Sequence, residues 1–353
     1  MSNFLQNLVK ELGDEHTTVA ADGKSSAEFS GTIDTGSYLL NAAISGSLYG
    51  GVPNNKITGF AGEMATGKTF FVLGVISQFL KTNPTGSVIY FDTESAVTNE
   101  MMESRGIPTD RVIKSEPDTI QKFRHTAIQI LDYQVSQPEE ERTPMIMVLD
   151  SLGQLSSTKE IEDTAEGSET RDMTKSQIIK AAFRVLNLKL AKAGVPMLVT
   201  NHVYAVIGSY VPTKEMSGGS GLKYSASTII QLSKKKERVG TEIVGNIIKA
   251  KMYKSRLSRE NKEVEVLLSY EKGLDRYYGL IELGVSAGVF KKAGNRIELP
   301  DETKQYAKTI YENPDKYFTN EVMESLENYA KDVFTYGGPE GNEDFDAEEE
   351  VAN

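Results

Sequence analysis

The stretch from Lys56 to Glu94 constrains this chain more than any other: an apolar strand (KITGF), the loop AGEMATGKT, an apolar helical run and a second strand ending YFDTE. Gly62-Glu63-Met64-Ala65-Thr66-Gly67-Lys68-Thr69 fits G-x-x-x-x-G-K-[ST] without a gap. The glycines let the backbone turn so that successive N–H groups face phosphate oxygens, with the dipole of the following helix behind them. Lys68 supplies a cation for the β- and γ-phosphates, and the Thr69 hydroxyl a ligand for Mg²⁺. Set between an apolar strand (Ile57 to Phe60) and an apolar helix (Phe70 to Leu80), the loop reads as a nucleoside-triphosphate site.

The alternation continues beyond it. Strands over 56–60, 87–92, 111–114, 145–150 and 195–200 are separated by helices over 68–81, 98–105, 118–134 and 172–193. That pattern predicts an α/β fold, a mostly parallel, doubly wound sheet with its site at the strand C-termini. A polar loop is expected over 156–171 and a second loop over 202–222. After Tyr224 the pattern turns to strands, 224–232, 243–253 and 263–270, with KKKERVG as a hairpin turn. Phe4, Leu5, Leu8, Val9 and Leu12 have the spacing of a short amphipathic helix, followed by a linker over 13–37 and a helix from Tyr38 to Ile44. Residues 277–335 read as short helices with a small hairpin. The expected organisation is an N-terminal helix and linker (1–36), a core (37–275), a small C-terminal α/β subdomain (276–336) and a disordered acidic tail (337–353).

A chain of 353 residues, 39% apolar and 25% charged, buries a sizeable core. It has no Cys, which excludes disulfides and a thiolate nucleophile, and its three His (His16, His125, His202) are too scattered for a metal cluster. The N-terminus lacks the basic and apolar regions of a signal peptide, and no run approaches a membrane span, so a cytoplasmic protein without a membrane partner is expected. The net charge of −11 argues against a polyanion partner until its distribution is considered. Seven acids and no base lie beyond Phe334, and without them the charge is −4.

Further chemistry sits at the strand ends. Met145 to Leu149 runs into Asp150, a carboxylate suited to hold Mg²⁺ through its water shell. Glu94, just past YFD, can activate the water that attacks a γ-phosphate, with Asp92 as the next candidate. His202 follows the strand VPMLVTN, where a side chain either senses the phosphate or serves the core. The loop behind it carries Gly218-Gly219, suited to backbone approach to phosphate, and the apolar Val206, Ile207 and Tyr210, suited to wedging between bases. Lys180 and Arg184 share a helix face, as a DNA contact or a solvated stripe. Lys254 and Arg256, two apart on a strand, face one way; a basic edge that deters aggregation gives the same pattern.

Together these residues resemble the RecA family of recombinases, and its phage members most closely. The resemblance covers about residues 34 to 290 and rests on DTGSYLLNAAISG leading to AGEMATGKT, on YFDTE, on VLDSLGQL, on TNH with a loop ending MSGGSGLKYSAS, and on KSR. It implies a RecA-like P-loop NTPase core, ATP and Mg²⁺ as cofactors, and a helical homo-oligomeric filament on single-stranded DNA. It also implies pairing with double-stranded DNA and dealings with single-strand-binding and mediator proteins. By resemblance Glu94 is the catalytic carboxylate and His202 takes the position of a Gln common in bacterial relatives. Gly62 to Thr69 with Phe70 and Met101 bind nucleotide, and Thr69 and Asp150 hold the metal. Residues 156–171 and 203–222 correspond to the two DNA-binding loops, and Lys180, Arg184, Ser217, Gly218 and Gly219, with Val206 and Ile207, to DNA contacts. Lys254 and Arg256 correspond to cations that reach ATP on the next protomer, Tyr224 to an interface aromatic, and Phe29 to a docking segment. Three departures are visible: Glu63 and Met64 stand where bacterial relatives have Pro and Glu, the first loop is strongly acidic, and Met101 replaces an adenine-stacking Tyr.

The expected activity is therefore an ATP-dependent, DNA-dependent strand-exchange reaction. A hexameric helicase of the same fold or another DNA-dependent ATPase is the rival; a large N-terminal domain would mark the helicase, and only about 55 residues precede the first core strand. A small-molecule P-loop kinase leaves the Gly-Gly loop unexplained, and Glu94 with Asp150 argues against a non-hydrolysing filament regulator.

Overall fold

Uninterrupted apolar runs such as Val88–Phe91 and Ile146–Leu149 need cover on both faces of a sheet, and here they have it. The computed structural model describes residues 3–13, 17–22, 31–167, 172–205, 214–236, 245–269 and 273–336. Phe29, His16, Val206, Ile207, Tyr210, the turn after Lys236 and the acidic tail over 337–353 lie outside the described residues.

In chain order the first elements are α1 (Asn3–Leu12), β1 (Thr32–Ile33), α2 (Tyr38–Ser45), β2 (Val52–Pro53), β3 (Ile57–Gly62), α3 (Lys68–Thr82) and β4 (Ser87–Asp92). Then come α4 (Asn99–Glu103), β5 (Val112–Ser115), α5 (Ile120–Ser136), β6 (Met145–Asp150), α6 (Thr158–Ala165), α7 (Lys175–Ala193) and β7 (Met197–Ala205). Next are β8 (Lys214–Met216), α8 (Gly221–Ser225), β9 (Thr228–Lys236), β10 (Gly245–Ser255), β11 (Glu263–Ser269) and β12 (Gly273–Leu274). The C-terminal part holds α9 (Leu280–Ser286), β13 (Lys291–Ala293), β14 (Arg296–Glu298), β15 (Lys304–Gln305), α10 (Ala307–Glu312), α11 (Pro314–Tyr317) and α12 (Asn320–Phe334).

The main sheet has ten strands in the order β12-β11-β10-β9-β3-β7-β6-β4-β5, with β8 paired to β7. From β9 to β5 the strands run parallel, and β10, β11, β12 and β8 are antiparallel additions. Alternate residues serve opposite faces. Val88, Tyr90, Ile146, Val148 and Leu198 join α2 and α3 in one apolar cluster. Ile89, Phe91, Met147, Leu149 and Val199 join α5 and α7 in the other, where Phe91 meets Phe123 edge-on at 5.0 Å.

The C-terminal elements close the first cluster: Leu280, Phe290, Leu326 and Phe334 are continuous with Leu39, Ile44 and Val264. Near its middle α12 sends Glu327 to the α2 exit, where the carboxylate accepts bonds from Ser47 Oγ and Leu48 N–H, both at 2.7 Å. Arg259 Nε donates to Thr335 O and Tyr336 OH to Ser255 O, fixing the loop that follows β10. By contrast α1 leaves Phe4, Leu5, Leu8 and Leu12 exposed.

Four local expectations change. The polar loop over 156–171 contains α6, whose Ser157 and Glu160 form a capping box; S-x-x-E ahead of a helical run is the signal passed over. The strand expected over 224–232 begins at Thr228, because Gly221–Ser225 coils into α8. The second loop is shorter than 202–222, since β7 runs to Ala205 and β8 pairs back on it. Finally, a bulge between Met252 and Lys254 breaks the alternation of β10, and Arg256 lies one residue past its end. The shared direction of Lys254 and Arg256 therefore does not follow from strand alternation.

Candidate nucleotide site and its link to the Gly-Gly turn

Gly62 ends β3 because nothing larger fits: a Cβ there would stand 2.5 Å from Thr66 Oγ1 and 2.9 Å from Leu232 O. Ala65 (φ 62°) and Gly67 (φ 85°) are left-handed, the backbone state from which anion-binding concavities are built. The fifteen-residue α3 starts at Lys68 and aims the positive end of its dipole at the same point. Glu63 and Met64 lie on the open side of the loop, both exposed.

Lys68 lies across this concavity. Its Nζ donates to Gly62 O (3.1 Å) and Glu63 O (2.9 Å) and stands 3.5 Å from His202 Nδ1. Burial pulls its pKa below the ordinary lysine value, against the opposing charges of Glu94 and Asp150. Asp150, 5% exposed, accepts bonds from Thr69 Oγ1 (2.8 Å), Tyr90 OH (2.7 Å) and the Thr200 hydroxyl. Burial, and then the charge of Asp150, drives the Tyr90 hydroxyl well above the ordinary tyrosine range, so it remains a donor. An oxygen-rich pair, Thr69 and Asp150, suits a hard cation that takes its remaining ligands from phosphate and water. Among the described residues no cluster of three His, Asp or Glu offers a self-sufficient metal cage.

Glu94 stands beside this pair because Asp92 and Asp150 are register partners on β4 and β6, so the turns that follow them meet. Thr93 Oγ1 donates to Ser151 O and accepts from Ser151 N–H, locking the two turns together. Ser151 Oγ then donates to Glu94 Oε1 at 2.5 Å, and His202 Nε2 lies 3.0 Å from the same oxygen. Burial alone would raise the Glu94 pKa, but Ser151, His202 and the Lys68 charge outweigh it and hold the carboxyl below its ordinary range. Asp92, the alternative base, is 1% exposed and spends its oxygens on the N–H groups of Glu94, Ala96 and Val97.

His202 joins the two halves of the site. The register of β3 and β7 sets it beside Gly62. An imidazole protonated at Nε2, as the bond network assigns it, donates to Glu94 and accepts from Lys68. Its backbone O accepts from Ser217 N–H (2.9 Å), and Asn201 Nδ2 donates to Ser217 O (2.8 Å). One strand therefore touches Lys68 and Glu94 with a side chain and the Gly218-Gly219 turn with its backbone. That turn needs glycine for its own sake: both φ angles are positive (77° and 72°), and a Cβ would stand 3.0 Å from Ile179 Cδ1 or 2.8 Å from Ser176 Oγ. Lys180 and Arg184 are exposed on the same helix, α7, with Lys180 Nζ 5.1 Å from the centre of the Tyr224 ring.

Two groups of expected residues remain, and only the second lies apart from the P-loop: Phe70 lines a cavity with Ala65, Thr66 and Gly67. Phe70 and Met101 are bridged by Arg105, whose guanidinium stacks on the Phe70 ring at 4.4 Å and donates to Met101 O. Lys254 and Arg256 are at the opposite end of the sheet: Ser255 pairs with Thr228, which pairs with Thr58, the second residue of β3. Four residues of strand, about 13 Å, separate that position from Gly62. There Lys254 Nζ donates to Lys223 O (2.6 Å) and Tyr224 O (3.3 Å), two carbonyls within α8. Tyr90, Thr93, Ser151, Thr200 and Arg105 were not singled out from sequence. Only the hydroxyls adjoining the two Asp-ending strands, Thr93 and Ser151, carried a local signal.

The family model described as RecA N-terminal domain matches residues 1–275. The recombination and repair protein of Enterobacteria phage T4 is 27% identical over 257 residues, 73% of this chain and 64% of that protein, so the match spans just under two thirds of its length. Protein RecA of Deinococcus radiodurans is 30% identical over 277 residues, 76% of this chain and 71% of that protein. Protein RecA of Agrobacterium fabrum is 28% identical over 361 residues, 99% of this chain and 92% of that protein.

Proposed function

The chain belongs to the RecA family, and from that premise we propose that it is an ATP-hydrolysing DNA recombinase. It assembles as a helical filament on single-stranded DNA, pairs that strand with a homologous duplex and exchanges strands. The relatives named for recombination and repair favour this over a helicase. One observation carries the mechanism: His202 touches Lys68 and Glu94 with its ring and Ser217 with its backbone.

Lys68, the loop amides and the α3 N-terminus bind the triphosphate, with Phe70 and Met101 toward the base. Thr69 and Asp150 are the residues that would hold Mg²⁺. When bound, Mg²⁺ neutralises charge on the β- and γ-phosphates. Glu94, kept ionised, accepts a proton from the attacking water. A shift of the Ser217–Gly219 turn on DNA moves the β7 backbone at His202, which presents or withdraws Glu94. Lys180, Arg184, Ser217, Gly218 and Gly219, with Val206 and Ile207, form the DNA side.

Lys254 and Arg256 are too far along the sheet to serve the P-loop of their own chain. Copies stacked head to tail bring them to the next copy's nucleotide, so that hydrolysis depends on assembly, as with an arginine finger in trans. The exposed face of α1 is a second filament contact. The protein acts in the cytoplasm, the host's if phage-encoded, alongside single-strand-binding and mediator proteins. The test is ATPase rate with and without single-stranded DNA together with a strand-exchange assay; hydrolysis with no DNA stimulation and no exchange would overturn the reading.

A further inference from the structure

The turn between β4 and α4 carries Glu94, and its backbone is under constraint. Ser95 is left-handed at φ 50°, a state that a residue other than glycine keeps only when its surroundings hold it there. Asp92 is one holder: Oδ1 accepts from the N–H groups of Glu94 (3.2 Å) and Ala96 (3.4 Å), and Oδ2 from that of Val97 (3.3 Å). A carboxylate this deeply buried needs a partner charge. The register of β4 and β5, Tyr90 opposite Lys114, brings one from the edge strand. Lys114 Nζ lies 3.4 Å from Asp92 Oδ2 and donates to Val97 O at 2.7 Å. It therefore holds both the carboxylate that organises the turn and the far end of the turn itself, and among the described residues its contacts are to Asp92 and Val97 and not to Lys68, Thr69 or Asp150.

We infer that Lys114 is a positioning residue for ATP hydrolysis, acting through Asp92 and Val97 to hold the turn that sets Glu94 against Ser151 and His202. The inference rests on the proposed reading of Glu94 as the group that activates water. Displacement of a catalytic group by about 1 Å costs up to about 100-fold in rate, so the effect belongs in kcat and not in nucleotide binding.

The experiment measures single-stranded-DNA-stimulated ATPase of the full chain. Lys114→Met is expected to lower kcat about ten-fold with the KM for ATP unchanged. Lys114→Arg, which restores the charge and donors, recovers most of the loss. Asp92→Asn with Lys114→Met is no worse than the poorer single variant, because both act through one turn. A folded Lys114→Met with wild-type kcat, a KM rising as kcat falls, or no rescue by Arg overturns the inference. If Lys114→Met does not fold, Lys114→Gln with Lys114→Arg supplies the same comparison. Glu94→Gln separates the two readings. An inactive Glu94→Gln beside a normal Lys114→Met defeats the positioning role alone, and an active Glu94→Gln defeats the base assignment.

Discussion

The two ends of the central sheet are built on opposite plans. At the C-terminal ends of β3, β4, β6 and β7, Lys68, Glu94, Asp150 and His202 are joined to one another or to neighbouring hydroxyls. At the other end, Lys254 occupies two backbone carbonyls of α8 and Arg256 is exposed beside it. The first end is preorganised within one chain. The second holds two cations, about 13 Å of strand away, and among the described residues neither Glu94 nor Asp150 pairs with them. On the proposed reading, half of the catalytic charge lies on the wrong end of its own protomer and becomes useful only to a neighbour.

The largest effect should come from breaking that division. Lys254→Ala/Arg256→Ala should bind ATP but lose DNA-stimulated hydrolysis by about 10³-fold, the size of a cationic finger supplied in trans. Mixing it with Lys68→Ala should restore part of the rate, because each variant contributes the half that the other lacks. No recovery in the mixture, with both proteins sedimenting on DNA, would show that the two ends do not meet.

Within the P-loop end, Glu94→Gln should cut turnover about 10²- to 10³-fold while ATP and DNA binding persist. In the wild-type protein the carboxyl lies below its ordinary range. The active, ionised form is therefore present above that lowered pKa and is lost as pH falls through it. A rate that already fails in the ordinary glutamate range would contradict the Ser151 and His202 bonds.

A smaller effect is expected at the glycine turn bonded to His202. Gly218→Ala/Gly219→Ala should weaken single-strand binding several-fold with ATP binding kept, since two positive-φ sites then carry a Cβ at about 1–2 kcal/mol each. Adding Ser176→Ala relieves the 2.8 Å contact at position 219. Recovery of DNA affinity in that triple variant would assign the loss to packing on α7 instead of phosphate approach. The smallest expected change is Tyr90→Phe, which removes one of three hydroxyl donors to Asp150. A loss of about 1 kcal/mol, a melting shift of about 2 °C, is expected in calorimetry, with hydrolysis retained.

The strands Ser87–Asp92 and Met145–Asp150 are legible in the sequence to the residue, because each is an apolar run stopped by a carboxylate. The P-loop is equally legible, its glycines answering to close approach and positive φ within eight consecutive residues. The far end is not. A bulge at Tyr253 interrupts the alternation on which a sequence reading depends, and α8 replaces the start of an expected strand.

What the sequence by itself determined is the local chemistry: a phosphate loop, two carboxylate-ended strands, a histidine after a third, and a family whose model spans residues 1–275. Each of these is written in contiguous residues whose spacing matches a backbone period or a turn. What only the tertiary structure decided is partnership. Tyr90 and Thr200 meet at Asp150, Ser151 reaches Glu94, Lys114 reaches Asp92, and His202 stands between Lys68 and the glycine turn. Strand order and register create these meetings between residues 15 to 134 positions apart in the chain, and hydrogen bonds act over only about 3 Å.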